Sequence, residues 1–281
     1  MAERMVTTTF QRASFSAWRR GARQRPWLLL LGSLPLLLVL LVPLLALVAR
    51  VDLADLLTHL VEPAVAQAIS LSLVTTALTT TIALVLGTPI AYLLARRRFP
   101  GRMLLDTLID LPMVLPPSVA GIALLVAFGR RGLLGQYLVD VGISIAFTQA
   151  AVVLAQTFVA APFYVKAAAA GFASVERELE QAAAIDGASS LRVFAAITLP
   201  LARPALLGGL VMTWARALGE FGATIIFAGN FPGRTQTMPL AIYLGFELDF
   251  SVALTLSVIL LAASFGVLFI VKRLLGRSIG T

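Results

Sequence analysis

The chain contains several long apolar segments, each close to the length that an α-helix needs to cross a lipid bilayer. A crossing helix takes about 20 predominantly apolar residues, because the hydrocarbon core is about 30 Å thick. The first segment, residues 27–49, reads WLLLLGSLPLLLVLLVPLLALVA and holds no charged residue. Its basic leader is long and no small-residue cleavage site follows, so we interpret it as a retained span rather than a signal peptide. Six spans are predicted, at residues 27–49, 66–95, 103–128, 147–172, 201–228 and 251–271.

The composition supports an all-α, polytopic membrane protein. Hydrophobic residues make up 59% of the chain and charged residues 13%, whereas soluble domains carry about 25% charged residues. The remaining polar surface is too small to coat a water-soluble globule. With no cysteine and a single histidine, His59, the sequence excludes disulfides and makes thiolate or histidine metal sites implausible. We predict no metal site, no cofactor and no catalytic residue in this chain.

The basic residues predict the orientation in the membrane. The net charge is +8, but Lys and Arg occur in short clusters between apolar runs, which is typical of membrane topology signals and not of a nucleic-acid surface. Placing both termini in the cytoplasm puts nearly all of these clusters inside. Few basic residues then fall outside: Arg50, Arg130, Arg131 and Arg234. The prediction is a multi-pass protein of the cell (inner) membrane, in contact with lipid.

One polar stretch, residues 174–200, interrupts the apolar pattern between the fourth and fifth spans, on the predicted cytoplasmic side. Ser174 is a candidate N-cap for a first helix that runs through about residue 186 and stops at Gly187. A second helix would be capped by Ser189 or Ser190 and end before Pro200. These residues alone fit a solvated helical connector as well as a docking element.

The same stretch resembles the EAA loop of ATP-binding-cassette (ABC) importer permeases. In that family an E-A-A triplet is followed four residues later by Gly, and an I-x-L-P ending begins ten residues further on. This chain has Q-A-A at residues 181–183, Gly187, and I-T-L-P at residues 197–200. One departure is that Gln181 stands at the glutamate position, directly after Glu180.

The resemblance implies a type I importer fold with a coupling-helix hairpin that docks on a cytoplasmic ATPase. ATP and Mg would be bound by that partner, since the sequence holds no G-x-x-x-x-G-K-[ST] phosphate loop. The implied assembly is a homodimer of this chain with two ABC ATPase subunits and an external, periplasmic oxyanion-binding protein. The implied coupling residues are Glu180, Gln181, Ala182, Ala183, Asp186, Gly187, Ala188 and Ser189.

Two further stretches are similar to molybdate permeases: ARALGEFGATIIFAGNFPGRTQTMPLAIY at residues 215–243 and LPMVLPPSVAGIALLVAFGRRGLLG at residues 111–135. Sulfate/thiosulfate permeases share the RALGEFGA part. The resemblance implies import of a tetrahedral oxyanion by alternating access, with molybdate favoured and tungstate or sulfate left open. The expected organisation is a basic segment at residues 1–26, the first span and external linker at 27–65, and a permease core at 66–277.

A dianion needs a polar route, because its transfer into hydrocarbon is prohibitively costly. Hydroxyls, small residues and backbone groups freed by proline breaks can supply that route. Helix packing and a simple kink explain the same residues as well. The pathway candidates are Pro116, Pro117, Ser118, Thr213, Glu220, Gly222 and Thr224.

Other charged residues admit two interpretations each. Arg216 and Glu220 stand four apart and can pair, which favours a packing role over a pathway role. Asp106 and Asp110 would repel a dianion, so we interpret them as structural and paired with the arginines at 96–102. Near the outside, either contacts with an acidic binding protein or a simple polar turn would explain Asn230, Arg234 and Gln236.

Two functions outside this class remain. A proton-coupled secondary transporter would use Asp106, Asp110 or Glu220 as a relay, and it predicts internal repeats of the span pattern, which the sequence lacks. A membrane scaffold leaves the polar stretch and the proline-rich third span unexplained.

Overall fold

The structure, a computed structural model, describes residues 26–279, and within that range it is built from helices without a β-strand. The chain divides into two compact units, Met1–Arg50 and Val51–Thr281. The described part of the first unit is helix α1, Pro26–Ala49, which corresponds to the first predicted span. The predicted basic leader lies outside the described residues, except for its last position.

The second unit contains the other helices, which follow one another with short connections. A five-residue π-helical turn, Phe194–Thr198, lies between α9 and α10. The helices are α2 Leu53–Leu60, α3 Pro63–Arg96, α4 Arg102–Val114, α5 Pro117–Phe128, α6 Gly135–Asp140, α7 Gln149–Ser174, α8 Arg177–Ile185, α9 Ser190–Val193, α10 Leu199–Leu218, α11 Gly222–Phe227, α12 Met238–Leu248 and α13 Phe250–Ile279.

Helix α7 lies at the centre of this unit and packs mainly against α3 and α10. Small residues allow the close approach, as is usual between membrane helices. A Cβ added at Gly171 would lie 2.5 Å from the Cβ of Ala205, and one at Gly209 would lie 2.8 Å from the Cβ of Ala167. The contact between α7 and α10 therefore depends on side chains no larger than alanine.

Five helices in the described range are long and apolar enough to cross a membrane, and six spans result if the bent pair α4 and α5 counts as one. The six-span prediction is confirmed in that sense. The third predicted span, residues 103–128, is not a continuous helix, because α4 and α5 are bent by 117°. Leu115 and Pro116 have extended backbones, and neither Pro116 nor Pro117 has an N–H group to continue the helical ladder.

The fifth predicted span, residues 201–228, is also broken. Helix α10 ends at Leu218 and the short α11 begins at Gly222, with Glu220 in the break. The Ala223 N–H, which has no carbonyl partner at the start of α11, donates to Glu220 Oε1 at 2.8 Å. A buried carboxylate thus caps the new helix.

Candidate functional site: the hairpin and the broken spans

The hairpin between α7 and α10 has the turn that the sequence predicts. Gly187 has φ +87°, in the left-handed region that L side chains rarely adopt. Its N–H donates to Ala184 O at 3.1 Å, and the Ala188 N–H donates to Ala183 O at 3.0 Å. This pair of bonds is a Schellman motif, which ends helix α8 and reverses the chain. Ser189 then caps α9, its Oγ accepting the Arg192 N–H at 3.4 Å.

The prediction for the start of the hairpin is wrong. Ser174 is not an N-cap but the last residue of α7, where its hydroxyl donates to Gly171 O at 2.8 Å. Val175 and Glu176 are extended and form the corner, with Glu176 at the N-cap position. At its other end α8 stops at Ile185, with Asp186 as the C-cap, in agreement with the predicted stop at Gly187.

The second helix does not end before Pro200; it continues through the π-helical turn into α10. The Leu199 N–H bonds to Phe194 O, five residues back. The π-helical turn is wider than an α-helical turn and disturbs the regular hydrogen-bond ladder, so a proline directly after it, which has no N–H to donate, is accommodated without ending the helix. The hairpin is thereby continuous with the fifth span.

Much of the hairpin surface is exposed within the described chain. Gln181 and Ala182 are exposed and Ala183 is half-buried. Ile185 is 86% exposed and Leu191 is 77% exposed. Large apolar side chains on an otherwise polar element indicate a surface that a partner covers. The sequence reasoning missed Ile185 and Leu191, although two apolar residues flanking a polar turn are a readable signal.

Glu180 differs from its neighbours, because it is turned toward the helix bundle. Its Oε1 accepts hydrogen bonds from Arg96 Nη2 at 2.9 Å and from Thr198 Oγ1 at 2.6 Å. Neither partner was predicted from the sequence. The arrangement joins α8 to the end of α3 and to the π-helical turn.

The pathway candidates separate into two groups. Pro116, Pro117 and Ser118 are exposed at the break between α4 and α5. Gly222 lies beside them, since a Cβ added there would be 2.6 Å from the Cβ of Pro117. The two broken spans thus meet at their breaks, a juxtaposition that the sequence did not reveal.

The remaining candidates are covered by the chain itself. Thr213 and Thr224 are fully buried, and their hydroxyl oxygens have no hydrogen-bond partner among the residues that the structure describes. Glu220 is 1% exposed, and its Oε2 lies 2.7 Å from Arg216 Nη1. The predicted Arg216–Glu220 pair is present. The pathway roles stay predictions.

The prediction that Asp106 and Asp110 pair with the arginines at 96–102 is wrong. Lys166 Nζ lies 2.8 Å from Asp106 Oδ1 and 2.9 Å from Asp110 Oδ2. The two carboxylates share one face of α4, four residues apart, and that face meets α7, which supplies the lysine. Arg96 bonds to Glu180 instead.

The stretch at residues 229–237 is only partly a surface turn. Arg234 is exposed, but Gln236 is 5% exposed, and its neighbours Thr235 and Thr237 are buried. Asn230 Nδ2 donates to Leu240 O at 3.4 Å. Gln236 is therefore unavailable for the predicted contact with a binding protein. Among the described residues, no group of three or more His, Asp or Glu side chains is placed to hold a metal ion.

Comparison with known proteins identifies one transport family that this chain matches. A family profile described as "Binding-protein-dependent transport system inner membrane component" matches residues 87–279. A molybdenum transport system permease protein of Mycobacterium tuberculosis is 46% identical over 224 residues, covering 79% of this chain and 84% of the relative. The corresponding protein of Escherichia coli is 47% identical over 178 residues, covering 63% and 78%. A molybdate/tungstate transport system permease protein of Thermococcus kodakarensis is 39% identical over 226 residues, covering 80% and 85%.

Solved structures show the same fold at low identity. A bacterial ABC transporter involved in the import of the acidic polysaccharide alginate superposes with a TM-score of 0.71 at 16% identity, over 93% of this chain and 99% of the other. The same kind of transporter in complex with an alginate-bound periplasmic protein gives 0.72 at 17% identity, over 89% and 94%. These likenesses confirm the predicted importer-permease architecture.

Proposed function

The chain belongs to the family of inner-membrane components of binding-protein-dependent transport systems, and from that membership we propose that it carries molybdate through the membrane in an ATP-driven importer. One observation supports the choice of molybdate as substrate: relatives named molybdenum transport permeases are 46–47% identical to this chain over most of their length. Tungstate is the second candidate, because the Thermococcus relative is named for both oxyanions. Sulfate has the same charge and shape and stays an alternative.

The proposed assembly contains two copies of this chain, two ATPase subunits and an external binding protein. The sequence lacks a phosphate loop, so ATP and Mg would be held by the ATPase. The hairpin supports this division of labour, since it exposes Ile185 and Leu191 beside the turn at Gly187. The family description itself names a binding protein as part of such systems.

The proposed route passes the point where the broken spans meet. The start of a new helix after a break leaves backbone N–H groups without intrahelical partners, and these donors can replace water around a dianion. Pro116, Pro117 and Ser118 are exposed there, beside Gly222. The buried Glu220 is compensated by the half-buried Arg216, so the proposal gives the pair a structural role. Alternating access would open this point to each side in turn.

The test is uptake by proteoliposomes that contain the chain, its ATPase and its binding protein. We expect ATP-dependent accumulation of labelled molybdate, with competition by tungstate stronger than by sulfate. ATP-independent uptake that collapses with the proton gradient would overturn the proposal in favour of a secondary transporter. Sulfate uptake that molybdate does not inhibit would leave the importer class intact and overturn the substrate.

A further inference from the structure

A polar cluster fixes the hairpin to the helix bundle at three points. Arg96 is the last residue of α3, and its Nη2 donates to Val175 O at 3.0 Å as well as to Glu180 Oε1 at 2.9 Å. Thr198, in the π-helical turn, donates to the same Glu180 oxygen at 2.6 Å. The Arg96 and Glu180 side chains are 8% and 17% exposed. Charge-assisted bonds of this kind, shielded from water, are stronger than exposed ion pairs.

An aromatic cluster reinforces the same place from the apolar side. Tyr92, one turn before Arg96, lies 5.6 Å from Phe172 and 5.2 Å from Phe194 between ring centroids, both edge-on. Phe172 and Phe194 lie 6.0 Å apart. The three rings belong to α3, α7 and the π-helical turn, so the aromatic cluster holds together two of the elements to which the polar cluster ties α8.

Helix α8 has little else to hold it. None of its residues is buried, and it is flanked by the extended corner at Val175 and Glu176 and by the left-handed turn at Gly187. Neither flank is helical, so α8 is connected to the spans through non-helical backbone on both sides. Without the bonds of Glu180, a force applied to α8 would turn the helix about these flanks before it moved the spans.

We propose that Arg96, Glu180 and Thr198 form a rigid joint that transmits movement of the hairpin to α3 and α10, and that Glu180 is a positioning residue and not an ATPase contact. The proposal rests on the proposed function, since it takes the hairpin to be the docking element. It gives the predicted coupling residues two different roles, because exposed residues such as Gln181 face the partner, whereas Glu180 faces the bundle.

The variants compare loss of the joint with loss of an equivalent exposed charge. Glu180→Ala, Arg96→Ala and the isosteric Thr198→Val each remove bonds of the joint. Asp55→Ala is the matched control, because Asp55 is an exposed carboxylate in α2, outside the hairpin. Three quantities are measured in the reconstituted transporter, namely ATPase bound per permease, thermal midpoint, and molybdate transported per ATP hydrolysed.

We expect the joint variants to bind the ATPase like the parent and to transport several-fold less molybdate per ATP, with Thr198→Val mildest and Asp55→Ala unchanged. The double variant Arg96→Ala, Glu180→Ala separates transmission from stability. Removing both charges leaves no unpaired ion, so its thermal midpoint should lie above that of Arg96→Ala, while its transport per ATP stays low.

Three results would overturn the joint. The first is that Glu180→Ala transports as much molybdate per ATP as the parent. The second is that the primary defect of Glu180→Ala is loss of ATPase binding. The third is that the double variant recovers transport together with stability. Failure of the proposed function is distinguishable from all three, because the parent protein itself would then show no ATP-dependent molybdate uptake.

Discussion

Gly187 illustrates how a single residue can be required for its backbone alone. A Cβ added at this position would meet nothing within 4 Å, yet φ is +87°. The constraint is therefore conformational: an L residue in the left-handed region costs about 1–2 kcal/mol, and asparagine tolerates this region better than a β-branched residue.

We predict that Gly187→Val weakens both assembly with the ATPase and ATP-driven uptake, whereas Gly187→Asn retains most of each. Gly208→Ala is the control, since Gly208 lies within α10 and also has open space around an added Cβ. Co-purification and vesicle uptake provide the measurements. If Val is as well tolerated as Asn, the strain argument fails; if Asn folds but does not assemble, the partner surface packs directly on this glycine.

The ion pair between the half-buried Arg216 and the buried Glu220 leads to a second residue-scale prediction. Arg216→Ala would strand a carboxylate that is 1% exposed, and breaking such a pair costs on the order of 3 kcal/mol. We expect a clear fall in the thermal midpoint. The double variant Arg216→Met, Glu220→Gln should regain most of the stability, because Gln can still accept from the Ala223 N–H.

Uptake by that double variant decides between the two interpretations of the pair. Retained uptake supports the structural role proposed above. A well-folded double variant that transports nothing would place the pair in the pathway.

At the scale of elements, the meeting of α5 and α11 depends on the absence of side chains. A Cβ at Gly222 would lie 2.6 Å from the Cβ of Pro117, and one at Gly121 would lie 2.8 Å from the Cβ of Ile226. We predict that Gly222→Ala destabilises the protein by about 1–3 kcal/mol through overpacking. Gly208→Ala should have the opposite sign, gaining about 0.5–1 kcal/mol from helix propensity. Equal thermal midpoints for the two variants would contradict this packing.

The sequence predicted the elements better than their breaks. Long apolar runs identify spans because length and composition are local properties. The end of α8 was also readable, since Gly187 can adopt an angle that its neighbours cannot. The bend between α4 and α5 was visible as prolines, but not its angle of 117°, which depends on packing against α11. No proline marks the break at Glu220. In the sequence, Glu220 and Arg216 fit equally well as a pair within one continuous helix.

Contacts between distant residues were the least predictable. Lys166 binds Asp106 and Asp110 across helices, and Arg96 binds Glu180, 84 positions away. Nearby arginines suggested a different partner for the aspartates, because sequence proximity was the available guide. Which basic residue reaches which acid is decided by helix packing, which a single sequence does not encode locally.

The Lys166 cluster leads to a prediction about how α4 is held on α7. Lys166→Met leaves two carboxylates facing each other on α4, whereas Asp106→Asn or Asp110→Asn leaves one ion pair in place. The side chains are 35%, 47% and 41% exposed, so each pair contributes about 0.2–1 kcal/mol. We expect Lys166→Met to lower the thermal midpoint most. If Lys166→Met lowers the thermal midpoint less than either Asn variant does, the bridging arrangement is contradicted.

At the scale of the whole molecule, the distribution of basic residues makes the orientation testable. The hairpin and Arg234 are both exposed, and a single predicted span, residues 201–228, separates them along the chain. If α10 and α11 together cross the membrane, the hairpin and Arg234 must therefore lie on opposite sides of it. The excess of Lys and Arg on the hairpin side predicts that this side lies in the cytoplasm.

Because the chain contains no cysteine, single cysteines can report this orientation without background. An impermeant thiol reagent should label Arg234→Cys in sealed right-side-out vesicles and Glu178→Cys only in inverted ones. Both positions are exposed, so a failure to label reflects the side of the membrane and not burial. The reverse pattern would invert the topology and remove the hairpin from reach of any cytoplasmic ATPase. Labelling of both from one side would mean that α10 and α11 form a re-entrant pair, in which case the broken spans would meet at the bottom of a cavity and not along a route through the membrane.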